Sequence, residues 1–400
     1  MPIRSLDDLD VGGRTLGVRV DINSPIDGGK LADDARLRAH VDTLTELTER
    51  DGRVALLAHQ GRPGEDDFAT LESHADRLDQ LLDAPVSYVD GTFCSGARAA
   101  VETLEDGDLV VLENTRFYSE EVLEFSPTRA SRTPIVSRLA PVLDAYVNDA
   151  FAAAHRSQPT LVGFPIAVPA YAGRVMEREL DVLGGLDDSE HPRVFFLGGA
   201  KVEDSLAVAR SVLERDLADE VLTAGLVGNV LLAADGVDLG GASRSAIADR
   251  DLRDAVDRAV GLLGRWGDRI HLPTDVAVDR RGERREMAIT DLPAPADEPA
   301  LDVGGATIEA YSDRLEDAAT VVLNGPAGVY ERPPFAIGTE LLYRAATRAG
   351  YSVVGGGDTA AAIRKFGITG YDHVSTGGGA TLRMLTGEPL PAVEVLRDAT

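Results

Sequence analysis

The first half of the chain places polar side chains that can bind an anion at or soon after the ends of short apolar runs. The set comprises Asp21, Asn23, His59, Arg62, Glu113, Arg116, Asp149 and Arg156. Guanidinium groups bind phosphate and carboxylate through paired hydrogen bonds, so arginines grouped with a histidine suit a small, multiply charged ligand. Together these residues predict a site for an anionic metabolite, although each alone also fits an ordinary turn or surface residue.

The second half of the chain ends its apolar runs in glycines instead. The clusters are GGAK (198–201), TAG (223–225), NGP (324–326), GGGD (355–358) and STGGG (375–379). Glycine-rich turns between a strand and a helix leave backbone N–H groups open to a phosphate. Lys201 stands out because only three of the 40 basic residues are lysines. We expect a nucleotide site that is not of the P-loop type, since the sequence has no Walker A motif.

The stretch GGGDTAA (355–361) is open to three interpretations. It fits the weak dinucleotide fingerprint G-x-G-x-x-A, but no acidic residue ends a clear second strand about 20 residues later. It also fits a simple tight turn. In the third interpretation the glycines surround a phosphate and Asp358 reaches a magnesium ion. The residues themselves leave these alternatives open.

Ten apolar runs, most of them followed by an amphipathic helix pattern, must position these side chains. They lie at 16–23, 53–61, 109–116, 145–151, 193–201, 220–225, 270–278, 320–326, 351–358 and 373–379. Such runs are typical of buried parallel strands, and ligands bind beyond the carboxyl ends of those strands. About ten strands exceed one ordinary sheet. We therefore predict an α/β fold of two doubly wound parallel-sheet domains that face each other across a cleft.

The domain boundaries are predicted from a helix pattern at 172–187 and the polar, proline-containing stretch after it. We expect an N-terminal metabolite-binding domain over 1–170, an interdomain helix over 171–188, a nucleotide-binding domain over 189–386 and a C-terminal tail over 387–400. In the second domain, Leu206, Ala209 and Leu213 predict a helix. Its candidate N-cap is Asp204 or Ser205.

The formal charge of -27 argues against nucleic acid as a partner, because binding it needs a basic face. The acidity indicates adaptation to a salty cytoplasm, whereas a GC-rich genome would explain arginine over lysine but not the excess of acid. No apolar run approaches the roughly 18 residues that span a membrane, and the acidic N-terminus does not fit a signal peptide. Cys94 is the only cysteine, so no internal disulfide can form. We expect a cytoplasmic monomer without membrane contact.

Taken in order, the motifs resemble those of the phosphoglycerate kinase family nearly from end to end. They are VRVDINSP, DDARLRA, AHQGRP, LENTRF and NDAFAAAHR in the first half, then GGAKV, NGPAGVYE, GGGDT and HVSTGGGA. One such motif would be weak, whereas nine in the same order are specific. The resemblance implies reversible phosphoryl transfer between 1,3-bisphosphoglycerate and magnesium ADP, which gives 3-phosphoglycerate and ATP.

The resemblance also implies a role for each matching residue. The phosphoglycerate site would contain Asp21, Asn23, Arg36, His59, Gln60, Gly61, Arg62, Arg116 and Arg156. The nucleotide site would contain Gly199, Ala200, Lys201, Gly225, Asn324, Glu331, Gly355, Gly356, Gly357, Asp358 and Thr359. Within it, Glu331 would hold the ribose and Asp358 would lie nearest Mg²⁺.

The chemistry implied by the resemblance needs alignment and neutralised charge more than a base, because a carboxylate nucleophile is already ionised at neutral pH. The groups that would meet the charge of the moving phosphoryl group are Arg36, Lys201, Gly377 and Gly378. Because the two ligands would sit on different domains, domain closure would bring them together and exclude water.

Two positions depart from the family pattern. Gln60 replaces the usual leucine, for which we expect a mild local effect. Ser205 stands where bacterial and eukaryotic members carry a second lysine that contacts nucleotide phosphate, and GGAKVEDS resembles the archaeal branch. Two competing functions remain. One is a nicotinamide-dependent oxidoreductase, which rests on GGGDTA alone, and the other is a non-enzymatic two-domain metabolite-binding protein, which would not need Lys201.

Overall fold

The computed structural model describes residues 3–399, which form two compact units. The first unit contains the chain up to Val182 together with the C-terminal segment from Glu388, and the second runs from Leu183 to Gly387. Among the described helices, none combines the length and the apolar character that crossing a bilayer requires.

The strands of the described chain are β1 (Thr15–Arg19), β2 (Ile26–Asp27), β3 (Lys30–Leu31), β4 (Arg53–Leu57), β5 (Val86–Val89), β6 (Leu109–Leu112), β7 (Ala145–Asn148), β8 (Ala170–Ala172), β9 (Arg193–Leu197), β10 (Glu220–Thr223), β11 (Ile270–His271), β12 (Asp275–Arg280), β13 (Glu283–Ala288), β14 (Ala300–Val303), β15 (Thr320–Asn324), β16 (Tyr351–Gly355) and β17 (His373–Val374). The α-helices are α1 (Ala35–Ala39), α2 (Val41–Glu49), α3 (Glu72–Leu81), α4 (Ser95–Glu102), α5 (Pro127–Ala130), α6 (Pro134–Leu139), α7 (Pro159–Val162), α8 (Phe164–Ala167), α9 (Arg174–Gly184), α10 (Val202–Glu214), α11 (Gly225–Ala234), α12 (Gly241–Ala248), α13 (Arg253–Trp266), α14 (Gly305–Glu316), α15 (Ile337–Ala346), α16 (Gly357–Phe366), α17 (Gly378–Leu385) and α18 (Pro391–Asp398).

The first unit is built on a six-stranded parallel sheet in the order β5-β6-β4-β1-β7-β8. Every residue of β6 and β7 is buried, which explains why these strands are apolar apart from Asn148 at the end of β7. Alternate residues serve two cores: Leu56 packs in one apolar cluster and Leu57 in another. The turns after β6, β4, β1 and β7 therefore share one edge of the sheet.

The C-terminal segment packs on the first unit as helix α18. Leu396 is fully buried in one of the two cores of that unit. The backbone N–H of Ala392 donates to the carbonyl oxygen of Ala154 at 3.2 Å. Near the other end, the Arg4 guanidinium donates to the carbonyl oxygen of Ala399 at 2.7 Å. These contacts join the last helix to the beginning of the chain.

The second unit contains a six-stranded parallel sheet in the order β11-β10-β9-β15-β16-β17. All five residues of the central strand β9 are buried. The strand order reverses between β9 and β15, and in open α/β sheets ligands bind at such a switch point. The GGAK and NGP turns follow these two strands. The prediction of parallel α/β sheets is confirmed.

The prediction of one parallel strand over 270–278 is wrong. The run is interrupted at Pro273: β11 pairs with the parallel sheet, whereas β12 belongs to an antiparallel sheet in the order β13-β12-β14. Proline has no N–H group to donate to a strand ladder, so the run cannot continue through it. The small antiparallel sheet contributes to the wall of the candidate nucleotide pocket described below.

Helix α10 begins earlier than the sequence predicts. Its N-cap is Lys201, not Asp204 or Ser205. Ser205 is only 2% exposed and lies with Leu206 and Ala209 on the buried side of the helix. The residue that departs from the family pattern is therefore a small buried side chain within the first turns of this helix.

Candidate active site

The first candidate pocket lies in the first unit, beside the turns that follow β1, β4 and β6. Its volume is about 470 Å³. Of the predicted residues it brings together Asn23, Gly61, Arg62, Arg116 and Arg156. Three acidic residues that the sequence did not predict there, Glu65, Asp66 and Asp67, also line it.

The guanidinium groups at this pocket lie close enough to repel one another. Burial first, and then the positive charges of Arg156 and Arg19, lower the pKa of Arg116 to about 10. Burial also lowers the pKa of Arg156, and the charges of Arg19, Arg62 and Arg36 add to the effect. A cluster of buried or half-buried cations that repel one another is stabilised when an anion binds between them.

His59 is held as a neutral hydrogen-bond donor beside these arginines. It is 2% exposed, and burial holds its pKa well below the usual 6.5. Its Nδ1 atom lies 2.9 Å from a guanidinium nitrogen of Arg19. Because a guanidinium can only donate, Nδ1 accepts and Nε2 carries the proton. Arg19 in turn donates to the hydroxyl of Thr160 at 3.0 Å.

Sequence reasoning missed Arg19 because it is the last residue of a buried strand and does not stand in the polar cluster after it. The only available signal was a charged residue inside an apolar run. Arg19 is 2% exposed, so it orients His59 from behind and does not face the pocket entrance.

We expect the free energy of unfolding to fall as pH drops below about 6.5, because buried His59 stays neutral in the folded protein while the unfolded histidine gains a proton. Since the folded pKa is depressed, this stabilisation is complete above the unfolded pKa and is lost as pH falls towards the folded pKa. His59 alone would account for about 1.4 kcal/mol between pH 7.5 and 5.5. Denaturant titrations over this range, at constant high salt, would measure how steeply the free energy of unfolding changes with pH.

The His59→Gln variant should show a weaker dependence of the free energy of unfolding on pH. A pH dependence equal to that of the wild type would refute the conclusion that His59 is neutral in the folded protein.

Asp21 pairs with Arg36 at 2.9 Å. Burial alone would raise the pKa of Asp21, but the charges of Arg36 and Arg19 hold it below its ordinary value. The carboxylate therefore stays ionised and fixes one side of the Arg36 guanidinium. Asn23 also has a holding role, because its Oδ1 atom accepts the backbone N–H of Gly61 at 2.8 Å.

A hydrogen-bonded chain connects Asp21 with the helix that leads out of the first unit. The backbone N–H of Asp21 donates to Nε2 of His40 at 3.1 Å, so Nδ1 of His40 carries a proton and donates to Asp149 at 2.7 Å. The other carboxylate oxygen of Asp149 accepts the backbone N–H of Val175, in the first turn of α9, at 2.8 Å. Asp149 therefore stabilises the start of this helix.

Gln60 does not face the pocket, which corrects its predicted place in the substrate site. Its side chain is fully buried, and its amide nitrogen donates to the carbonyl oxygens of Ser24 and Asp67 at 2.8 and 3.0 Å. Its amide oxygen accepts the backbone N–H of Ser24 at 2.9 Å and lies 3.1 Å from Nε2 of His74. Gln60 therefore fixes the loop that carries Arg62, where leucine could not make these bonds.

The second candidate site lies at the switch point of the second unit, where the turns after β9 and β15 touch. A Cβ atom on Gly198 would collide with the carbonyl oxygen of Pro326, and one on Gly325 would collide with the carbonyl of Gly198. Gly325 also has a φ of +87°, which favours glycine. Glycines are required here because two backbones pass each other without room for a side chain.

A pocket of about 360 Å³ opens beside these turns. Of the predicted nucleotide residues, it is lined by Gly199, Ala200, Gly225, Glu331 and Asp358. A smaller adjoining cavity is lined by Lys201, Asn324, Gly356, Thr359 and Gly378, among others.

Lys201 and Asp358 face each other at this site. The Nζ atom of Lys201 lies 3.7 Å from a carboxylate oxygen of Asp358, and both side chains are 65% exposed. Asp358 lies in the first turn of α16, which begins at Gly357. Within residues 3–399 no group of three metal-binding side chains occurs. The site fits Mg²⁺ in its usual form, in which one or two carboxylates and substrate phosphates supply the ligands.

Two of the predicted site residues make hydrogen bonds within the fold, and these bonds limit the contacts they can make with a ligand. Thr359 is fully buried, and its hydroxyl accepts the backbone N–H of Gly325 at 2.8 Å. Gly377 is buried and donates its N–H to the hydroxyl of Ser375 at 3.2 Å. The N–H of Gly377 therefore has a partner inside the fold and could meet the moving charge only if this bond breaks, so its predicted role stays a prediction. Gly378, by contrast, lines the small cavity.

Another lysine supports the loop that carries Glu331. The Nζ atom of Lys365, near the end of α16, donates to the carbonyl oxygen of Tyr330 at 2.8 Å and lies 5.3 Å from the centre of its ring. Helix α16 therefore contributes to the pocket at both ends: Asp358 near the start and Lys365 near the finish.

Asp302 lines the 360 Å³ pocket and belongs to a buried ion pair that sequence reasoning missed. Arg284 donates to Asp302 at 2.8 Å, with side chains 11% and 0% exposed. Asp302 also accepts the backbone N–H groups of Gly338 and Val303, both at 2.9 Å. Burial nevertheless raises the pKa of Asp302 above its ordinary value. Arg284 also donates to the carbonyl oxygen of Val303 at 2.7 Å, so the pair ties β13 to β14.

Comparisons with known proteins agree across the whole chain. A family model described as phosphoglycerate kinase matches residues 6–388. The chain is 62% identical to the phosphoglycerate kinase of Natronomonas pharaonis over 398 residues, covering 99% of this chain and 100% of that one. It is 61% identical to that of Halobacterium salinarum with the same coverage. The crystal structure of phosphoglycerate kinase from Pyrococcus horikoshii matches with a TM-score of 0.94 at 41% identity, covering 99% of each chain.

Proposed function

Since this chain belongs to the phosphoglycerate kinase family, we propose that its two pockets are the two substrate sites of that enzyme. The chain catalyses reversible phosphoryl transfer between 1,3-bisphosphoglycerate and ADP, giving 3-phosphoglycerate and ATP. An oxidoreductase or a non-enzymatic binding protein is no longer a competing function. What remains to be assigned is the role of each residue.

The arginine pocket of the first unit would bind the phosphoglycerate. Arg62, Arg116 and Arg156 line it and supply charge for phosphate or carboxylate oxygens. His59 would donate from Nε2, because Nδ1 is already bonded to Arg19. Arg36, fixed by Asp21, would meet charge on the moving phosphoryl group. Asn23 and Gly61 would shape the pocket through their mutual hydrogen bond.

The glycine-lined site of the second unit would bind the nucleotide. The observation that carries this proposal is the approach of Lys201 to Asp358 at the switch point of the sheet. An exposed ammonium suits a phosphate oxygen, and the helix starting at Gly357 presents backbone N–H groups to it. Glu331 would hold the ribose hydroxyls. The remaining nucleotide contacts would come from Gly199, Ala200, Gly225, Asn324, Gly355, Gly356, Thr359 and Gly378.

Mg²⁺, bound together with the nucleotide, would be held by Asp358. When bound, it would neutralise negative charge on the phosphates. The ammonium of Lys201 would then turn from Asp358 to the transferring group. No general base is required of the chain, because the acceptor carboxylate is ionised at neutral pH.

A coupled assay tests the assignment directly: ATP formation from 1,3-bisphosphoglycerate and magnesium ADP in molar salt. We expect turnover that depends on ADP and on Mg²⁺. A parallel assay with a nicotinamide cofactor in place of ADP serves as the control and should show none. Absence of ATP formation across a broad range of salt concentrations would overturn the proposal.

We also propose that the protein is adapted to high salt. Its charge of -27 is large, and relatives at 61–62% identity come from Natronomonas pharaonis and Halobacterium salinarum. Dilution from molar salt to about 0.1 M should lower the Tm, because repulsion among unscreened carboxylates then destabilises the compact state. Calorimetry at stepped salt concentrations would measure the effect. A Tm that does not change with salt would favour genome composition as the source of the acidity.

The monomeric state and the cytoplasmic location stay predictions.

A further inference from the structure

We propose that Asn229 makes the nucleotide pocket selective for adenine over guanine, an inference that rests on the proposed nucleotide site. Asn229 lies in α11, one turn beyond Gly225, and its half-buried side chain lines the 360 Å³ pocket. Gly225 and Asp358 line the same pocket, and the proposed nucleotide site puts the phosphates beside Asp358. Asn229 lies four residues after Gly225 in this helix, and we place the base of the nucleotide beside it.

The wall around Asn229 is largely apolar. It is formed by Leu226, Ala246, Pro273, Val276, Ala300 and Leu301, among others. Such a wall holds any purine by contact area and distinguishes poorly between bases. Selectivity must then come from the few polar groups present, as is usual in ligand pockets.

The carboxamide of Asn229 is fixed in one orientation. Its Nδ2 atom donates to the carbonyl oxygen of Ala300, the first residue of β14, at 3.2 Å. A flip of the amide would place Oδ1 against that carbonyl oxygen, so two acceptors would face each other without a proton between them. The bond leaves Oδ1 and one N–H of Asn229 free to meet a ligand.

A fixed amide of this kind matches adenine. Adenine presents an amino donor next to a ring-nitrogen acceptor, and asparagine pairs with that edge through one accepted and one donated hydrogen bond. Guanine presents a carbonyl oxygen in place of the amino group, so its oxygen would meet Oδ1 of Asn229. Reversing the amide to suit guanine would break the bond to Ala300. Guanine would therefore leave polar groups unpaired against a largely apolar wall.

Two other polar side chains of the pocket provide the comparison. Ser243 is 3% exposed, and its hydroxyl accepts the backbone N–H of Ala300 at 3.0 Å. It supports the same residue of β14 as Asn229 does, so it is a matched structural control. Arg250 lines the same pocket but is exposed. Arginine is the commonest reader of guanine, so a pocket in which Arg250 contacted the base would prefer GDP instead of ADP.

The experiment measures kcat/KM with ADP and with GDP, under the same 1,3-bisphosphoglycerate and salt conditions. It compares the wild type with the variants Asn229→Ala, Asn229→Leu, Ser243→Ala and Arg250→Ala. Leucine resembles asparagine in size, so it preserves packing if the alanine variant does not fold. Thermal melts of each variant separate loss of fold from loss of selectivity.

We expect the wild type to prefer ADP, and removal of the Asn229 amide to reduce the ADP/GDP ratio on the order of 10-fold. Ser243→Ala and Arg250→Ala should leave the ratio unchanged. An unchanged ratio in both Asn229 variants would overturn the inference, as would a wild type that prefers GDP. A wild type with no turnover on either nucleotide would overturn the proposed function itself, so the two failures are distinguishable.

Discussion

Replacement of Lys201 by alanine is expected to lower kcat for ATP formation by about 100-fold or more. Lys201 lies 3.7 Å from Asp358 at the switch point of the second sheet, where the transferring phosphoryl group would carry its charge. Because a charge that meets the transition state lowers the barrier, its removal should act on kcat more than on the KM for either substrate. Steady-state kinetics with both substrates varied would separate these effects.

Two lysine variants serve as controls for that measurement. Lys201→Arg retains the charge on a broader, planar group, so we expect activity between those of the wild type and the alanine variant. Lys30, in the β2–β3 hairpin of the first unit, lies outside both candidate sites, and Lys30→Ala should leave kcat unchanged. An unaltered kcat in Lys201→Ala would mean that Lys201 has only a structural role, as the N-cap residue of α10.

Replacement of Arg284 by alanine is expected to lower the free energy of unfolding by about 3–5 kcal/mol. The variant leaves the carboxylate of Asp302 buried without its cationic partner. Burial already raises the pKa of Asp302 above its usual value. Removal of the guanidinium therefore makes the ionised form costlier still at neutral pH. Because Asp302 lines the pocket proposed to bind the nucleotide, the KM for ADP should also rise. Denaturant titration and steady-state kinetics would measure both effects.

The control for this prediction is a surface arginine in the same antiparallel sheet. Arg280 is 62% exposed and lies 3.6 Å from the largely buried Glu298, which keeps a second cationic partner, Arg285 at 3.8 Å, when Arg280 is removed. The loss of such an exposed cation costs about 1 kcal/mol or less. Arg280→Ala should therefore have a small effect. A double variant, Arg284→Met with Asp302→Asn, removes both charges and should recover part of the lost stability. If Arg284→Ala destabilises no more than Arg280→Ala, the buried pair does not support the pocket.

The sequence predicts the parallel strands well because a strand that is buried on both faces consists mostly of consecutive apolar residues. All residues of β6, β7 and β9 are buried, and these strands are apolar apart from Asn148 at the end of β7 and Arg193 at the start of β9. The antiparallel sheet has no comparable apolar pattern in all of its strands. Strand β13 (Glu283–Ala288) has a single buried residue and several charges, so it lacks both an apolar run and a clear alternation. Pairing with β12 makes it a strand, and pairing is not a local property of the chain.

The candidate site also has features that the sequence predicts and features that it does not. Motif order located Lys201, Asp358 and the arginines, because turns after parallel strands must meet at one edge. Side-chain direction could not be predicted. Gln60 stands between His59 and Gly61 in the motif, yet it points into the interior to bond Ser24 and Asp67. Such roles depend on partners distant in sequence, and they become visible only when the partners are brought together.

The placement of α18 has a consequence for the synthesis of the chain. A ribosome delivers residues up to Val182 well before Leu396, which is fully buried in a core of the same unit. Domains generally fold during synthesis in the order in which they emerge. In this chain the first unit begins to emerge first but is completed last. All of Leu183–Gly387 must be translated before the final helix of the first unit, α18, exists. A ribosome stalled anywhere within that stretch would carry a nascent first unit with an open core.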